Sequence, residues 1–196
     1  MARTESTMRA LGTPAPDFSL PEVVHGDRVT PHAVRGDRPL LVIFLSRHCP
    51  YVLHVAAELA RIESDYGDRV AIVGIASNDA DAYPDDAPAS MAAMAGEFGF
   101  RFPIGYDASQ DVARAFAAAC TPDFFLFDGD ARLVYRGQLD GARPSNGVPV
   151  TGADLRAALD AVVAGRAIDW EQRPSMGCSI KWLPGGAPAS VAPPPR

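Results

Sequence analysis

The chain has 196 residues, of which 47% are hydrophobic and 21% are charged, and its formal net charge at pH 7 is −6. This length and composition predict one globular domain with a sizeable buried core. The negative charge and the lack of a basic stripe argue against nucleic acid or an anionic membrane as partner, since both require a basic face. No segment of the sequence has the apolar length of a membrane span or of a signal peptide, so we expect a cytoplasmic protein.

The two ends of the chain are predicted to be disordered. Residues 1–11 are mostly polar or small, and residues 184–196 form a tail rich in Pro, Gly and Ala. Such segments bury too little apolar surface to offset the entropy lost on ordering. We therefore expect the single domain to cover residues 12–183.

Strands and helices alternate in the first half of this domain. Leu40–Leu45 is a continuous apolar run, which predicts a strand covered on both faces. A helix is predicted after Cys49 and Pro50, because apolar residues recur there at spacings of three and four. Its apolar stripe consists of Val52, Val55, Leu59, Ile62 and Tyr66. Val70–Ala76 predicts a second strand parallel to the first, since one helix connects the two in a right-handed βαβ unit.

The second half predicts three more helices and a hairpin. A loop rich in Pro and Asp at Tyr83–Pro88, which we expect to be solvated, precedes a helix around Met91–Phe98 and a short helix at Val112–Ala118. FFLFDGDARLVYRG, residues 124–137, predicts two antiparallel strands joined by an Asp-Gly turn. TGADLRAALDAVVAG, residues 151–165, predicts the last helix.

Cys49 is the candidate reactive thiol. It lies between the first strand and the first helix, where unpaired backbone N–H groups and the positive end of the helix dipole favour a thiolate. Pro50 suits the first helical position because its missing N–H would be unpaired there anyway. His48, beside the cysteine, and His54, just over a turn into the helix, would favour the anion further if protonated. The alternatives are a buried, inert cysteine and, for His48, an exposed loop residue.

Six segments of the chain together resemble one protein family. They are GTPAPDFSLP, RHCPYVLH, CTPDFFLFD, YRGQLDGARPSN, PVTGADLRAAL and PSMGCSIKW, and the resemblance covers about residues 12–182. The family is the thioredoxin-like redoxins, in the branch grouped with alkyl hydroperoxide reductase and thiol-specific antioxidant proteins, and within it a peroxiredoxin-like thioredoxin family. The resemblance implies an α/β thioredoxin-like fold, with a central mixed β-sheet flanked by helices and an N-terminal redoxin extension. Members usually carry Cys-x-x-Cys, whereas Ser46 stands at the first cysteine position of this chain.

The resemblance implies roles for residues around the thiol. In peroxiredoxins, a Ser or Thr three residues before the reactive cysteine bonds to the sulfur and to the peroxide, and Ser46 fits that place. The peroxiredoxin arginine is replaced by Thr121-Pro122, which resembles the cis-proline loop that packs against the active cysteine of thioredoxins. Leu40–Leu45 contains no acid, so the buried carboxylate of thioredoxins is missing from that strand.

Two arginines are candidates to replace the missing cation. The hairpin predicted over residues 124–137 returns to the sheet edge where Cys49 lies, so the segment from Arg136 to Asn146 should border the thiol. Arg136 or Arg143 would then stabilise a thiolate or orient a peroxide oxygen. The alternative is a solvated loop with local ion pairs.

The other two cysteines decide how an oxidised Cys49 is reduced. Cys120 lies two residues before Pro122 and is expected near Cys49, where it either resolves the oxidised thiol as a disulfide or fills the core. Cys178 lies beyond the last helix and either wraps back to the site or packs as an anchor. If neither reaches Cys49, a small thiol or a thioredoxin-type reductant has to reduce it.

The leading functional hypothesis is a thiol-dependent antioxidant oxidoreductase of peroxiredoxin type. Attack of Cys49 on a peroxide would give a sulfenic acid, which a second thiol clears. One alternative is a thioredoxin-like thiol–disulfide oxidoreductase that acts through mixed disulfides on a disulfide substrate. Another is a redox-silent binding module with the same fold. The sequence has no phosphate-binding loop and no metal-ligand motif, so neither a cofactor nor a metal is predicted.

Overall fold

The computed structural model describes residues 3–188. Within this range the strands are β1 (Arg3–Glu5), β2 (Leu20–Pro21), β3 (Arg28–Val29), β4 (Leu40–Leu45), β5 (Ala71–Ala76), β6 (Ile104–Tyr106), β7 (Cys120–Thr121), β8 (Asp123–Phe127), β9 (Leu133–Gly137) and β10 (Met176–Ser179). The helices are α1 (Pro31–Arg35), α2 (Pro50–Tyr66), α3 (Pro88–Phe98), α4 (Asp111–Phe116) and α5 (Ala153–Val163), with a 3₁₀ turn at Pro84–Asp86. None of the described helices combines the length and the apolar character needed to cross a membrane.

A five-stranded mixed sheet with the order β6-β5-β4-β8-β9 forms the centre of the fold. β4 pairs in parallel with β5, starting at Leu40 opposite Ala71. On its other side β4 pairs antiparallel with β8, with Phe44 opposite Asp123, and β8 and β9 form an antiparallel hairpin. The parallel pair and the hairpin confirm the predictions from sequence. As expected, the end of β4 and the start of β8 lie at the same edge of the sheet.

The two faces of this sheet carry two separate hydrophobic clusters, because side chains alternate along each strand. Leu41, Ile43 and Leu45 of β4 belong to the cluster formed with α2, α3 and α5. Leu40, Val42 and Phe44 belong to the opposite cluster, formed with α4 and, at its margin, α1. All six side chains are buried, which confirms the prediction of a strand covered on both faces.

Helix α2 presents the predicted apolar stripe to the first of these clusters. The five residues of the stripe, Val52, Val55, Leu59, Ile62 and Tyr66, are all buried. Tyr66 is also fixed by a hydrogen bond from its hydroxyl to Asp160 Oδ1 of α5 at 2.8 Å. Since Cys49 is the N-cap residue of this helix, packing of the stripe sets the position of the thiol.

A second sheet, not predicted from the sequence, joins the two ends of the domain in the order β1-β10-β7. Cys178 of β10 pairs with Thr121 of β7 on one side and with Arg3 of β1 on the other. The prediction of a disordered N-terminus over residues 1–11 is therefore wrong for Arg3–Glu5, whose backbone groups are paired with β10. Most of the tail predicted over residues 184–196 lies outside the described residues.

Gly177 allows β10 to approach β7 closely. A Cβ at this position would lie 1.9 Å from the carbonyl oxygen of Thr121. We expect Gly177→Ala to lower the free energy of unfolding by about 3 kcal/mol, because the clash is with backbone that cannot rotate away. Gly96→Ala is the control, since a Cβ at this exposed position of α3 has no neighbour within 4 Å, and we expect no loss of stability there. Denaturant unfolding measures both, and equal effects would contradict the close approach.

Candidate active site

Cys49 lies at the N-terminus of α2 with its sulfur sealed from solvent. Cys49 is 0% exposed. Its backbone carbonyl oxygen accepts hydrogen bonds from Val52 N at 3.0 Å and Leu53 N at 3.1 Å. The expectation that helix amides hold the sulfur is wrong, because the side chain makes no capping hydrogen bond. Its S–H instead donates to the carbonyl oxygen of Thr121 at 3.0 Å. A carbonyl accepts a hydrogen only from the protonated thiol, so this arrangement describes a reduced, neutral Cys49.

The segment that faces Cys49 contains a cis peptide bond between Thr121 and Pro122, as the resemblance implied. This bond lies between β7 and β8. Pro122 in turn accepts two hydrogen bonds through its carbonyl oxygen, from Ser175 Oγ at 2.6 Å and from Cys120 Sγ at 3.6 Å. The turn is thereby fastened both to its own strand and to the segment that leads into β10.

Cys178 is the second thiol of the site. Its side chain is 3% exposed, and it belongs to the same hydrophobic cluster as Cys49. Burial, followed by the side-chain interaction with Cys49, raises the pKa of Cys178 well above its ordinary value. Cys178 is therefore packed in the core, in the cluster that also contains Cys49. All three cysteines are present as thiols.

Cys120 lies near the site but faces away from this pair. It pairs in register with Ser179, whereas Thr121 pairs with Cys178, and successive residues of a strand point to opposite faces. Burial raises the pKa of Cys120 well above its ordinary value, and the charges of Asp123 and Cys49 raise it further. Cys120 is thus close enough to Cys49 to interact electrostatically, and its own S–H bonds to Pro122.

The loop before Cys49 is held by hydrogen bonds to the carboxylate of Asp86. Asp86 itself was predicted from the sequence to lie in a solvated loop. That prediction is wrong for Asp86, which is 1% exposed. It accepts hydrogen bonds from Ser46 Oγ at 3.1 Å, from Arg47 N at 2.7 Å and from Asn78 Nδ2 at 2.6 Å. Its carboxylate also lies 2.6 Å from His48 Nδ1. The expected bond from Ser46 to the Cys49 sulfur is replaced by these contacts, because the buried carboxylate is the stronger acceptor.

The two histidines have different surroundings. His48 is largely buried and stacks on Tyr83, with ring centroids 5.3 Å apart. Ser46 and Asp86 both approach the same His48 nitrogen, Nδ1. This excludes a serine nucleophile of triad type, which needs the serine and the acid on opposite nitrogens. His54 lies on α2 beside Pro122, and its Nε2 is buried with no hydrogen-bond partner among residues 3–188.

Asp123 is a buried acid that was not predicted from the sequence. It is fully buried beside the cis peptide bond, and its Oδ2 accepts a hydrogen bond from Ala119 N at 3.2 Å, while Oδ1 has no partner within the described part of the chain. Desolvation raises the pKa of Asp123 to about 8. The missing acid of Leu40–Leu45 thus has a counterpart on the neighbouring strand, opposite Phe44. An Asp at the head of the apolar run DFFLF was the signal that could have revealed it.

Of the two candidate arginines, the structure brings only Arg143 to the neighbourhood of the cis-proline. Arg136 donates to Arg9 O at 2.8 Å and to Gln172 Oε1 at 2.6 Å, so its charge is used away from the thiol and its predicted role is wrong. Arg143 lines a narrow cleft beside Pro122 and donates to Gln138 Oε1 at 2.5 Å. The cleft is lined by Tyr51, His54, Val55, Pro122, Phe124, Gln138, Leu139, Ala142, Arg143, Pro144, Ser175 and Met176.

Comparison with known proteins supports this architecture. The family model described as Redoxin matches residues 10–155. An uncharacterized conserved protein from Geobacillus kaustophilus is 50% identical, with 94% of this chain and 98% of that chain covered and a TM-score of 0.91. A hypothetical protein from Sinorhizobium meliloti 1021 is 49% identical, with coverage of 92% and 98% and a TM-score of 0.89.

A more distant structure is similar in fold alone. The thioredoxin domain of a thiol-disulfide oxidoreductase from Bacteroides vulgatus is 18% identical, with 79% of this chain and 99% of that chain covered and a TM-score of 0.61. This likeness confirms the thioredoxin-like fold, a central mixed sheet flanked by helices. No curated protein matches the chain.

Removing the Asp86 carboxylate should loosen the loop before the thiol. Asp86→Ala leaves Ser46, Arg47 N and Asn78 without their acceptor, so we expect the free energy of unfolding to fall by about 3 kcal/mol. Asp85→Ala is the matched control, because Asp85 is an exposed neighbour in the same 3₁₀ turn, and we expect a change within about 0.5 kcal/mol. Both values come from denaturant unfolding. Equal stability of the two variants would show that Asp86 does not hold the loop.

The raised pKa of Asp123 predicts a specific pH dependence of stability. The folded protein keeps this carboxyl protonated up to about pH 8, whereas the unfolded chain releases the proton near pH 4. Between these pH values only the unfolded chain ionises this carboxyl, which lowers the free energy of the unfolded state. Asp123 therefore makes the protein less stable as the pH rises from about 4 to about 8. Asp123→Asn has no proton to release, and its unfolding free energy should fall less over this range. Denaturant unfolding at several pH values measures the difference, and parallel curves for the two proteins would contradict it.

Proposed function

This chain belongs to the Redoxin family, and on that premise we propose that it is a thiol–disulfide oxidoreductase whose reacting atom is the Cys49 sulfur. The observation that carries the proposal is the position of this sulfur, at the N-terminus of α2, against the cis-proline segment, and in the same buried cluster as a second thiol. The helix dipole favours a thiolate once the S–H hydrogen leaves the Thr121 carbonyl. The thiolate is the nucleophile in exchange with disulfides.

In the proposed reaction, the Cys49 thiolate attacks one sulfur of a substrate disulfide, RSSR′. A mixed disulfide between Cys49 and R forms, the S–S bond of the substrate breaks, and R′S⁻ leaves and takes up a proton. A reducing thiol or a thioredoxin-type dithiol protein then restores the enzyme. The cleft beside Pro122 is the place where the substrate chain would lie, since it runs between α2, the segment after β9 and the start of β10.

The arrangement of the other candidate residues favours disulfide exchange over peroxide reduction. Ser46 bonds to Asp86, and Arg136 bonds to Arg9 and Gln172. Arg143 bonds to Asp140 O, Ala142 O and Gln138 Oε1, so the hydroxyl and both candidate cations expected around a peroxide have other partners. A second thiol in contact with the first is instead what dithiol chemistry requires.

Peroxide reduction is the second candidate, and one observation favours it. Cys49 is 0% exposed, so a small hydroperoxide reaches the sulfur with less movement of the protein than a disulfide does. Its oxygen transfer would convert the Cys49 thiolate and ROOH into a sulfenic acid and ROH, with uptake of one proton. A redox-silent binding module is the remaining possibility, and the same burial would suit it.

Replacement of Cys49 distinguishes these functions. With dithiothreitol as reductant, we expect the wild-type protein to catalyse reduction of oxidised glutathione and Cys49→Ser to fall to the uncatalysed rate, at least a hundredfold lower. Cys120→Ser is the matched control and should retain activity within about threefold, because a serine hydroxyl can replace the bond to Pro122.

The same proteins are assayed with hydrogen peroxide. Cys49-dependent consumption of peroxide without turnover of the disulfide would overturn disulfide exchange and select the peroxidase. Wild-type rates equal to those of Cys49→Ser with both substrates would contradict both enzymatic functions and select the redox-silent binding module.

A further inference from the structure

Two thiols from distant parts of the chain meet in one buried site. Cys49 caps α2, and Cys178 belongs to β10. Thr121 connects them, since its carbonyl oxygen accepts from Cys49 Sγ at 3.0 Å and the residue itself pairs in register with Cys178. Facing residues of an antiparallel pair lie on the same side of the sheet, with Cβ atoms about 5 Å apart. The Cys178 side chain therefore occupies the same side of β7 as Thr121.

We propose that Cys49 and Cys178 are the redox-active dithiol pair of this protein and close an internal disulfide between α2 and β10. This inference rests on the proposed reactivity of Cys49. It makes Cys178 a catalytic residue and gives the site its second sulfur, although Ser46 occupies the usual place of the other cysteine. The partner thiol is thus supplied by the C-terminal strand.

The reaction balances with the groups of the proposed exchange. After Cys49 has formed a mixed disulfide with R, the Cys178 sulfur attacks the sulfur of Cys49. The Cys49–Cys178 bond forms, the bond to R breaks, and the hydrogen of Cys178 passes to the leaving thiolate as RSH. Two electrons move from the two protein thiols to the substrate disulfide, and an external dithiol returns them.

The protonation state of Cys178 suits this order of events. Its raised pKa keeps it a thiol at neutral pH, so it does not compete with Cys49 as the first nucleophile. Lys181 acts in the opposite sense and favours ionisation of Cys178. Loss of the side-chain interaction with Cys49 when Cys49 becomes a disulfide removes one cause of the raised pKa, which helps Cys178 to react second.

Cys120 is the less suitable partner. Its side chain leaves β7 on the opposite side from Thr121, and its S–H is engaged with the carbonyl oxygen of Pro122. Burial opposes formation of its thiolate. It therefore provides a control of the same residue type, equally buried and only one residue from Thr121.

Trapping with glutathione tests the pair. The full chain is incubated with oxidised glutathione at neutral pH, alkylated, digested without reduction and analysed by mass spectrometry. We expect the wild-type protein and Cys120→Ser to yield a peptide pair joined through Cys49 and Cys178, with little glutathione retained. Cys178→Ser should retain glutathione on Cys49 at a level at least tenfold higher, because the mixed disulfide cannot be resolved within the chain.

The remaining outcomes separate failure of the pair from failure of the proposed function. Glutathione retained on Cys49 of the wild-type protein, as in Cys178→Ser, would overturn the pair and leave exchange at Cys49 intact. A Cys49–Cys120 peptide pair would overturn it as well. Absence of both glutathione and disulfide at Cys49 in every protein would overturn the proposed function together with the pair. The wild-type digest needs no substitution, so this result does not depend on how well Cys178→Ser folds.

Discussion

The carbonyl oxygen of Thr121 is the contact on which the rest of the site depends. It accepts the hydrogen of the Cys49 thiol at 3.0 Å, and the same residue is the register partner of Cys178. A change in the path of this short strand would therefore move both sulfurs relative to each other. β7 is held between β4 and β10, and β10 can approach it because Gly177 carries no side chain. The thiol pair is thus positioned by backbone, which is more rigid than a set of side-chain contacts.

A buried polar network connects the loop before Cys49 to the segment that carries Cys178. Asp86 holds Ser46 and Arg47 N on one side and Asn78 on the other. Asn78 Oδ1 then accepts from the backbone N–H of Lys181 at 2.8 Å, just beyond β10. Because Ser46, Asn78 and Asp86 are buried, breaking one of their contacts leaves a buried polar group unsatisfied. The network therefore keeps the helix N-terminus and the C-terminal strand in a fixed relation, although they are far apart in sequence.

The sequence predicted the elements whose signal is local. The apolar run of β4, the stripe of α2 and the Asp-Gly hairpin each carry a clear local pattern, whereas the cis-proline segment was expected only from the family resemblance. β10 and β1 were not predicted, because strands of three or four residues owe their stability to pairing between distant segments, which leaves no periodic pattern. Asp86 was misplaced for a related reason, since its acidic surroundings resemble a solvated loop and only the fold turns it inward. The pairing of Cys49 with Cys178 likewise depends on the register between β7 and β10.

A dithiol shared between a helix and a strand has consequences that a pair within one helical turn does not have. In Cys-x-x-Cys both sulfurs belong to one segment, so oxidation changes the chain locally. In this chain the sulfurs belong to α2 and β10, and Cys49 is 0% exposed. Attack on a substrate disulfide therefore requires the segments that cover Cys49 to move, whereas attack by Cys178 does not, because both cysteines belong to the same buried cluster.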